Sequence, residues 1–361
     1  MINRVYFVAT CPVVKSKLYF SIQMEYFNFE DLVGDLKNLN EEQKYWMVRT
    51  MGGAYYGEFI RGNYIAVGYN NISLGDLQHL PETDNAAKEV LKAMFHHRYP
   101  DIRNSGYPVA QILRFARDIR QGDVVIIPSS GASHVAIGII DGNMYEENTP
   151  IIDDEHHCDF KKRRHIKWRY FGRRATLPPA LQLMFTSRHI LSDVSNYASY
   201  IDSVIHDCYV KEDVMNLVLK IRTQKEVSLD DFCDLKAVSL LIDDFCQNYN
   251  ISSEAPLNMK VQMESPGWLR LSTKGIGKLL LFGLFTTILT GGGVKFNKKD
   301  GLDIYTNGIG GIINDYLDRK ADRELVRAAA RAMDSLQIKT PEDMQPIIEI
   351  LNAKNEGRRN Y

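Results

Sequence analysis

The 361-residue chain is 45% hydrophobic and 25% charged, with a formal net charge of -1. That balance suits two or three globular domains with cores of their own. It excludes a disordered, collagen-like or globally cationic protein, so any attraction to a polyanion has to be local.

Five cysteines (Cys11, Cys158, Cys208, Cys233 and Cys246) are odd in number, scattered, and form no C-x-x-C pair. They read as reduced thiols in a cytoplasmic protein. The apolar run Val5–Ala9 is too short for the core of a signal peptide and predicts a strand over residues 4–10. Residues 17–27 alternate as a second strand. Asn28 then caps a helix to about Leu36 with Phe29, Leu32 and Val33 on one face. Together these make a β-β-α extension over residues 1–40.

From residue 41 to about 190 the pattern is richer. A strand over Trp46–Arg49 meets the break Gly52-Gly53, then a short helix carrying Phe59 and Ile60, then a strand over Tyr64–Gly68 that ends at Tyr69. Ala87, Val90, Leu91, Met94 and Phe95 repeat at helical spacing over Asp84–Tyr99, and Pro100 stops that helix. Over Val109–Arg120 the apolar positions Ile112, Leu113, Ala116 and Ile119 turn inward. Arg114, Arg117 and Arg120 line up on the other side. Gly122-Asp123 turns the chain into buried strands over Val124–Ile127 and Val135–Ile140, and a further strand spans His165–Tyr170.

The strand, Gly-Gly break, helix and aromatic-ended strand, followed by the Gly-Asp turn and its two strands, resemble the PUA-like domain. That domain opens Mrr-type restriction enzymes and is related to the EVE and YTH domains. The resemblance covers residues 41–190. It implies a β-barrel that reads nucleic acid, holding one base in a pocket of Trp46, Arg49, Tyr69, Ser129 and Trp168. Aromatics, an arginine and a hydroxyl suit that task, because stacking and edge hydrogen bonds offset the cost of extruding a base. Related domains often carry tryptophan where this chain has Tyr69. The alternative is that Trp46 and Trp168 are core aromatics.

Residues Lys161–Arg174 hold eight lysines and arginines with Trp168, Tyr170 and Phe171 interleaved. Such a run can neutralise phosphates and stack bases, which makes Arg163, Arg164, Lys167 and Arg169 candidate contacts beside Arg114 and Arg117. Alternation places Ile166, Trp168 and Tyr170 on one face, Lys167 and Arg169 on the other. The competing reading is a solvated loop that balances Asp153, Asp154 and Glu155.

Chemistry is harder to find. Glu155-His156-His157-Cys158-Asp159 has metal-ligating residue types but no second cluster to complete a tetrahedral site, so no metal is assigned. Mrr-type enzymes follow this module with a nuclease domain. Lys260, Glu264, Asp300 and Asp303 are of the right types but in the wrong order, and no catalytic or cofactor motif emerges.

Residues 191–255 read as a helical connector, with Ser228 heading a near capping box before Phe232, Leu235, Val238, Leu241 and Phe245. Residues 256–361 read as a small α+β domain. It holds a hairpin near Trp268, an uncharged run of 16 residues between Lys278 and Lys295, and a glycine patch at Gly308–Gly311. Two helices follow, one over Tyr316–Leu336 and one opened by Thr340-Pro341 and running to about Ala353. The apolar run falls short of the 18 or so residues that flag a membrane span and is expected to be buried.

The expectation is therefore an α+β protein with a central PUA-like β-barrel, a helical connector and a C-terminal α+β domain. It would act as a cytoplasmic sensor of a nucleic-acid base, modified bases included, with DNA preferred over RNA and a role in defence against foreign DNA. The rivals are a nucleotide-triggered effector that self-associates or acts on membranes through its C-terminal region, and a nuclease with an unrecognised site.

Overall fold

The structure is a computed structural model that describes residues 36–148, 157–187, 189–249, 251, 256–262, 267–274, 276–290, 309–339 and 341–344. The expected N-terminal strands and helix up to residue 35, Gly308 of the glycine patch and the last helix beyond Met344 lie outside the described residues, whereas Gly310 and Gly311 lie in the helix Ile309–Arg319. The protein is α+β, with one curled half-barrel sheet and a second, smaller sheet. It divides into two compact units: Asn40–Ile205, and the described residues up to Leu39 together with those from His206 onward.

In the Asn40–Ile205 unit, β1 (Tyr45–Val48) leads through α1 (Tyr56–Gly62) to β2 (Tyr64–Val67). Three helices follow: α2 (Leu74–Gln78), α3 (Asp84–Arg98) and α4 (Gly106–Leu113), the last running into a π-helical turn at Arg114–Asp118. Then come β3 (Val124–Pro128), β4 (His134–Ile140), β5 (Tyr145–Glu146), β6 (Lys162–Arg173), α5 (Pro179–Gln182), β7 (Leu191–Asp193) and α6 (Ala198–Ile205). The sheet order is β2-β6-β4-β3-β1-β7, with β5 also pairing β6. β1 and β3 run parallel, so the helices between them form the crossover that a parallel pair requires.

Both faces of this sheet are covered, which explains the unbroken apolar strands. Tyr45, Met47, Val124 and Ile126 pack on one side with Leu181 and Ile201. Trp46, Val48, Val125 and Ile127 pack on the other with Phe59 and Ile65. A third core joins α2, α3 and α4 through Leu77, Leu91, Phe95 and Ile112.

The Gly122-Asp123 turn does more than reverse the chain. Gly122 adopts φ 91°, and the buried Asp123 carboxylate accepts from the Lys44 and Arg120 backbone N–H groups and from Trp46 Nε1 at 2.9–3.1 Å. One side chain thus ties the start of β1, the end of the π turn and the start of β3. Trp46 belongs to this frame.

The strand expected over His165–Tyr170 is the middle of the longer β6, and it contains a bulge. Ile137 pairs with Tyr170 while Gly138 pairs with Trp168, which leaves Arg169 as the extra residue. The bulge overturns the expectation that Trp168 and Tyr170 share a face: Trp168 packs with the Trp46 side and Tyr170 with the Tyr45 side.

The second unit holds a four-stranded antiparallel sheet in the order β10 (Asn258–Gln262), β11 (Gly267–Thr273), β9 (Val214–Ile221), β8 (Cys208–Lys211). Among the described residues four helices accompany it: α7 (Leu229–Tyr249), α8 (Ile276–Leu289), α9 (Ile309–Arg319) and α10 (Arg323–Ser335). The helical connector expected over residues 191–255 is only partly helical, since β7, β8 and β9 fall inside it. The single helix expected over Tyr316–Leu336 is broken, with Asp322 capping α10 by accepting from the Glu324 and Leu325 N–H groups. α8, which holds the apolar run as far as Leu289, is core: Leu279, Leu280, Leu281 and Phe285 are fully buried with Val238, Phe245 and Tyr316. Among the described residues no helix is long and apolar enough to cross a membrane.

Candidate functional site

Because the sheet of the Asn40–Ile205 unit curls, the ends of β1 and β2 come to border one cavity of about 610 Å³. Arg49, Met51 and Gly52 reach it from the end of β1. Val67, Gly68 and Tyr69 reach it from the end of β2, and Gln111 of α4, Phe160 and Ile190 complete the wall.

The backbone around this cavity is held in unusual conformations. Tyr69 (φ 65°) and Met51 (φ 49°) are both non-glycine residues in the left-handed region, and Gly52 (φ 66°) and Gly53 (φ 105°) follow Met51. A Cβ on Gly53 would lie 2.1 Å from the Ser130 nitrogen, so only glycine lets this loop meet the β3–β4 turn. Non-glycine residues in this region cost about 1–3 kcal/mol each and persist where the surroundings over-determine them.

At Tyr69 those surroundings are explicit. Its carbonyl accepts from the fully buried Lys162 Nζ at 2.8 Å and from Ile72 N–H at 3.0 Å. Lys162 also donates to the Ile72 carbonyl at 2.8 Å. The Tyr69 ring meets Phe95 and Tyr99 edge-on at 5.1 and 5.6 Å. Burial, followed by the neighbouring Tyr107 and Tyr99, raises the pKa of its hydroxyl, which stays protonated.

The polar groups at the wall are half committed to the frame. Arg49 Nη2 donates to the Phe185 carbonyl at 2.6 Å and to that of Ser187, while its Nε and Nη1 donate to no described residue. Gln111 is 2% exposed; its Oε1 accepts from Leu191 N–H at 2.7 Å, and its Nε2 donates to no described residue. The cavity thus combines an aromatic ring held in place, a second ring from Phe160, apolar flanks and unengaged N–H donors. That combination suits a flat, polar-edged ligand.

Residues 46–187 match a domain of unknown function, DUF8426. No curated protein and no solved structure matches the chain. The matched segment contains the cavity residues from Arg49 to Phe160 and stops just short of Ile190.

Of the residues expected at a base pocket, Arg49 and Tyr69 lie at this cavity. Trp46 does not, since its indole is buried and bound to Asp123. Ser129 sits in the β3–β4 turn, where its Oγ accepts from His134 N–H at 2.9 Å. Trp168 borders a separate, more open groove of about 520 Å³ with Lys167, Arg169 and His165, and its Nε1 is buried there without a partner among the described residues.

The basic run needs the larger correction. Arg163 and Arg164 are buried, so neither can reach a phosphate. Arg163 donates to the Phe160 and Cys158 carbonyls and lies 4.1 Å from the centre of the Tyr64 ring. Arg164 donates at 3.1 Å to the Phe115 and Ala116 carbonyls, in the π turn where the regular hydrogen-bond ladder is interrupted. Burial lowers its pKa to about 10. Arg117 is held by the Leu80, Pro81 and Glu82 carbonyls, and Lys167 pairs with Asp141 at 2.9 Å. Arg114 and Arg169 are exposed. In the acidic-histidine stretch, His157 Nδ1 lies 3.2 Å from Glu58, and the Cys158 thiol is buried with its pKa pushed up to about 12 by desolvation.

Gln111, Phe160, Met51 and Lys162 were missed by sequence reasoning. A glutamine between Ala110 and Ile112 on an otherwise apolar helix is the one legible signal, since amides are seldom fully buried without a task.

Proposed function

We propose that the Asn40–Ile205 unit is a PUA-like reader of nucleic acid that holds one base in the cavity between the ends of β1 and β2. The observation that carries this reading is the wall itself: Tyr69 fixed in a left-handed turn, Phe160 on the same wall, and donors of Arg49 and Gln111 that no described residue engages. Stacking on such a ring supplies about 1–3 kcal/mol per base, and edge hydrogen bonds add to it. The exposed Arg114, Arg120, Arg169 and Arg173 are available to phosphates. The resemblance to Mrr-type modules makes foreign DNA the first polymer to try, as an analogy of fold rather than of site.

Titrating labelled single- and double-stranded oligonucleotides at two salt concentrations tests this. Tyr69→Ala should weaken binding about tenfold or more, whereas Arg169→Ala should weaken it for all sequences and flatten the salt slope by about one. Binding unchanged in Tyr69→Ala would remove the cavity from the reading. A second reading, a free nucleotide as ligand, is favoured by the burial of Lys162, Arg163 and Arg164, which thins the phosphate track. It predicts that mononucleotides bind as tightly as oligonucleotides.

A further inference from the structure

The chemistry of the cavity wall narrows the base. Gln111 has a fixed orientation, because the Leu191 backbone N–H can only donate and therefore faces Oε1. The amide's remaining group, Nε2, is a pure donor. Arg49 has no acceptor at all, and its Nε and Nη1 donate to no described residue. With the carbonyl of Tyr69 already taken by Lys162 and Ile72, the polar side chains at the wall donate, save for the Tyr69 hydroxyl, which can do either.

The two fixed donors, Gln111 Nε2 and the Arg49 guanidinium, reject a base edge that sets an amino group against them, since two donors then face each other and both go unpaired. They favour an edge of neighbouring acceptors. Guanine has that edge in N7 and O6; adenine replaces the oxygen with an amino donor, and thymine offers O4 beside a methyl group. Cytosine has acceptors at O2 and N3 but carries its amino group next to them.

We infer that the cavity selects a 6-oxopurine, guanine or a base sharing its N7/O6 edge, with Gln111 and Arg49 as the specificity-determining donors. The inference rests on the base-reading function proposed above.

Four single-stranded DNA oligonucleotides, each with guanine, hypoxanthine, adenine or cytosine as the one base in an otherwise abasic backbone, test it by titration on the full chain beside a wholly abasic control. Guanine and hypoxanthine, which share O6, should bind at least about tenfold tighter than adenine, in line with a bidentate edge contact. Adenine or cytosine binding as tightly as guanine would overturn the inference and leave base reading in place. If no base binds better than the wholly abasic control, base reading fails and takes the inference with it. Gln111→Glu keeps an oxygen for Leu191 N–H and turns the free donor into an acceptor, so the gap between guanine and adenine should close or invert. The wild-type ranking decides the point even if that variant folds poorly.

Discussion

Lys162 shows how much of the candidate site depends on groups that never touch a ligand. Its ammonium is fully buried and bridges the Tyr69 and Ile72 carbonyls, so it fixes the turn that presents the Tyr69 ring. Burying it costs free energy: desolvation lowers its pKa to about 8, with Glu146 on β5 and Asp76 on α2 opposing the shift, and Lys161 reinforcing it. Asp76 is in turn paired with Arg98 of α3. In the unfolded chain a lysine keeps its proton to about pH 10.4. Between about pH 8 and 10.4 the unfolded chain therefore binds the extra proton, and stability contributed by this group rises with pH. Below about pH 8 both states are charged and the full burial cost, on the order of 3 kcal/mol, is present. Lys162→Met keeps the apolar stem and removes this dependence. Urea unfolding at about pH 7.5 and about pH 10 should show the wild type gaining relative to the variant, with tyrosine titration common to both proteins. Equal pH dependence in the two would show that Lys162 is not buried as a charge.

At the scale of elements, the parts with local signals were legible and the parts set by distant partners were not. The helix at Asp84–Arg98 declares itself by spacing, and β1, β3 and β4 by unbroken apolar runs. The burial of Arg163 and Arg164 could not be read, because what they satisfy are carbonyls at Cys158, Phe160 and a π turn some fifty residues away in sequence. The bulge at Arg169 is equally silent, since nothing in Lys167-Trp168-Arg169-Tyr170 marks an extra residue. The hairpin of β8 and β9 hid for a different reason. Its two loop residues, Glu212 and Asp213, both adopt the left-handed conformation (φ 51° and 57°), as a type I′ turn requires, yet neither is the asparagine or glycine that would have announced it. Hence residues 208–221 looked like a continuation of helix. The same mismatch yields a prediction: Asp213→Gly, with Glu212→Asn, should stabilise the protein by about 0.5–1 kcal/mol by removing the strain of two ill-suited residues. Thermal unfolding would show a higher midpoint. A lower one would mean that the Glu212 and Asp213 side chains contribute contacts the turn geometry does not reveal.

On the scale of the whole molecule, the unit that carries the cavity is one continuous segment set into a discontinuous one. The backbone of residues 37–39 lies beside β8, where Asn38 bridges to Val210, Leu39 N–H donates to the Val210 carbonyl, and Val210 N–H returns a bond to Lys37. The chain therefore leaves the discontinuous unit near where it comes back at His206, a geometry that tolerates an inserted domain. Inside Asn40–Ile205 the cores on both sides of the sheet, and the helical core of α2, α3 and α4, are built from that segment's own residues. The buried apolar helix α8 belongs wholly to the other core. A unit that closes its own cores is expected to fold alone, so residues 40–205 expressed by themselves should unfold in one cooperative transition. The fragment should also retain whatever base binding the full chain shows, because every cavity residue from Arg49 to Ile190 is inside it. Circular dichroism melts and the same abasic-backbone titrations on the fragment check both halves. A broad melt with retained helical signal and exposed apolar surface would show that the unit borrows stability from the remainder of the chain. A cooperative melt with binding lost would show that residues beyond Ile205 complete the ligand site.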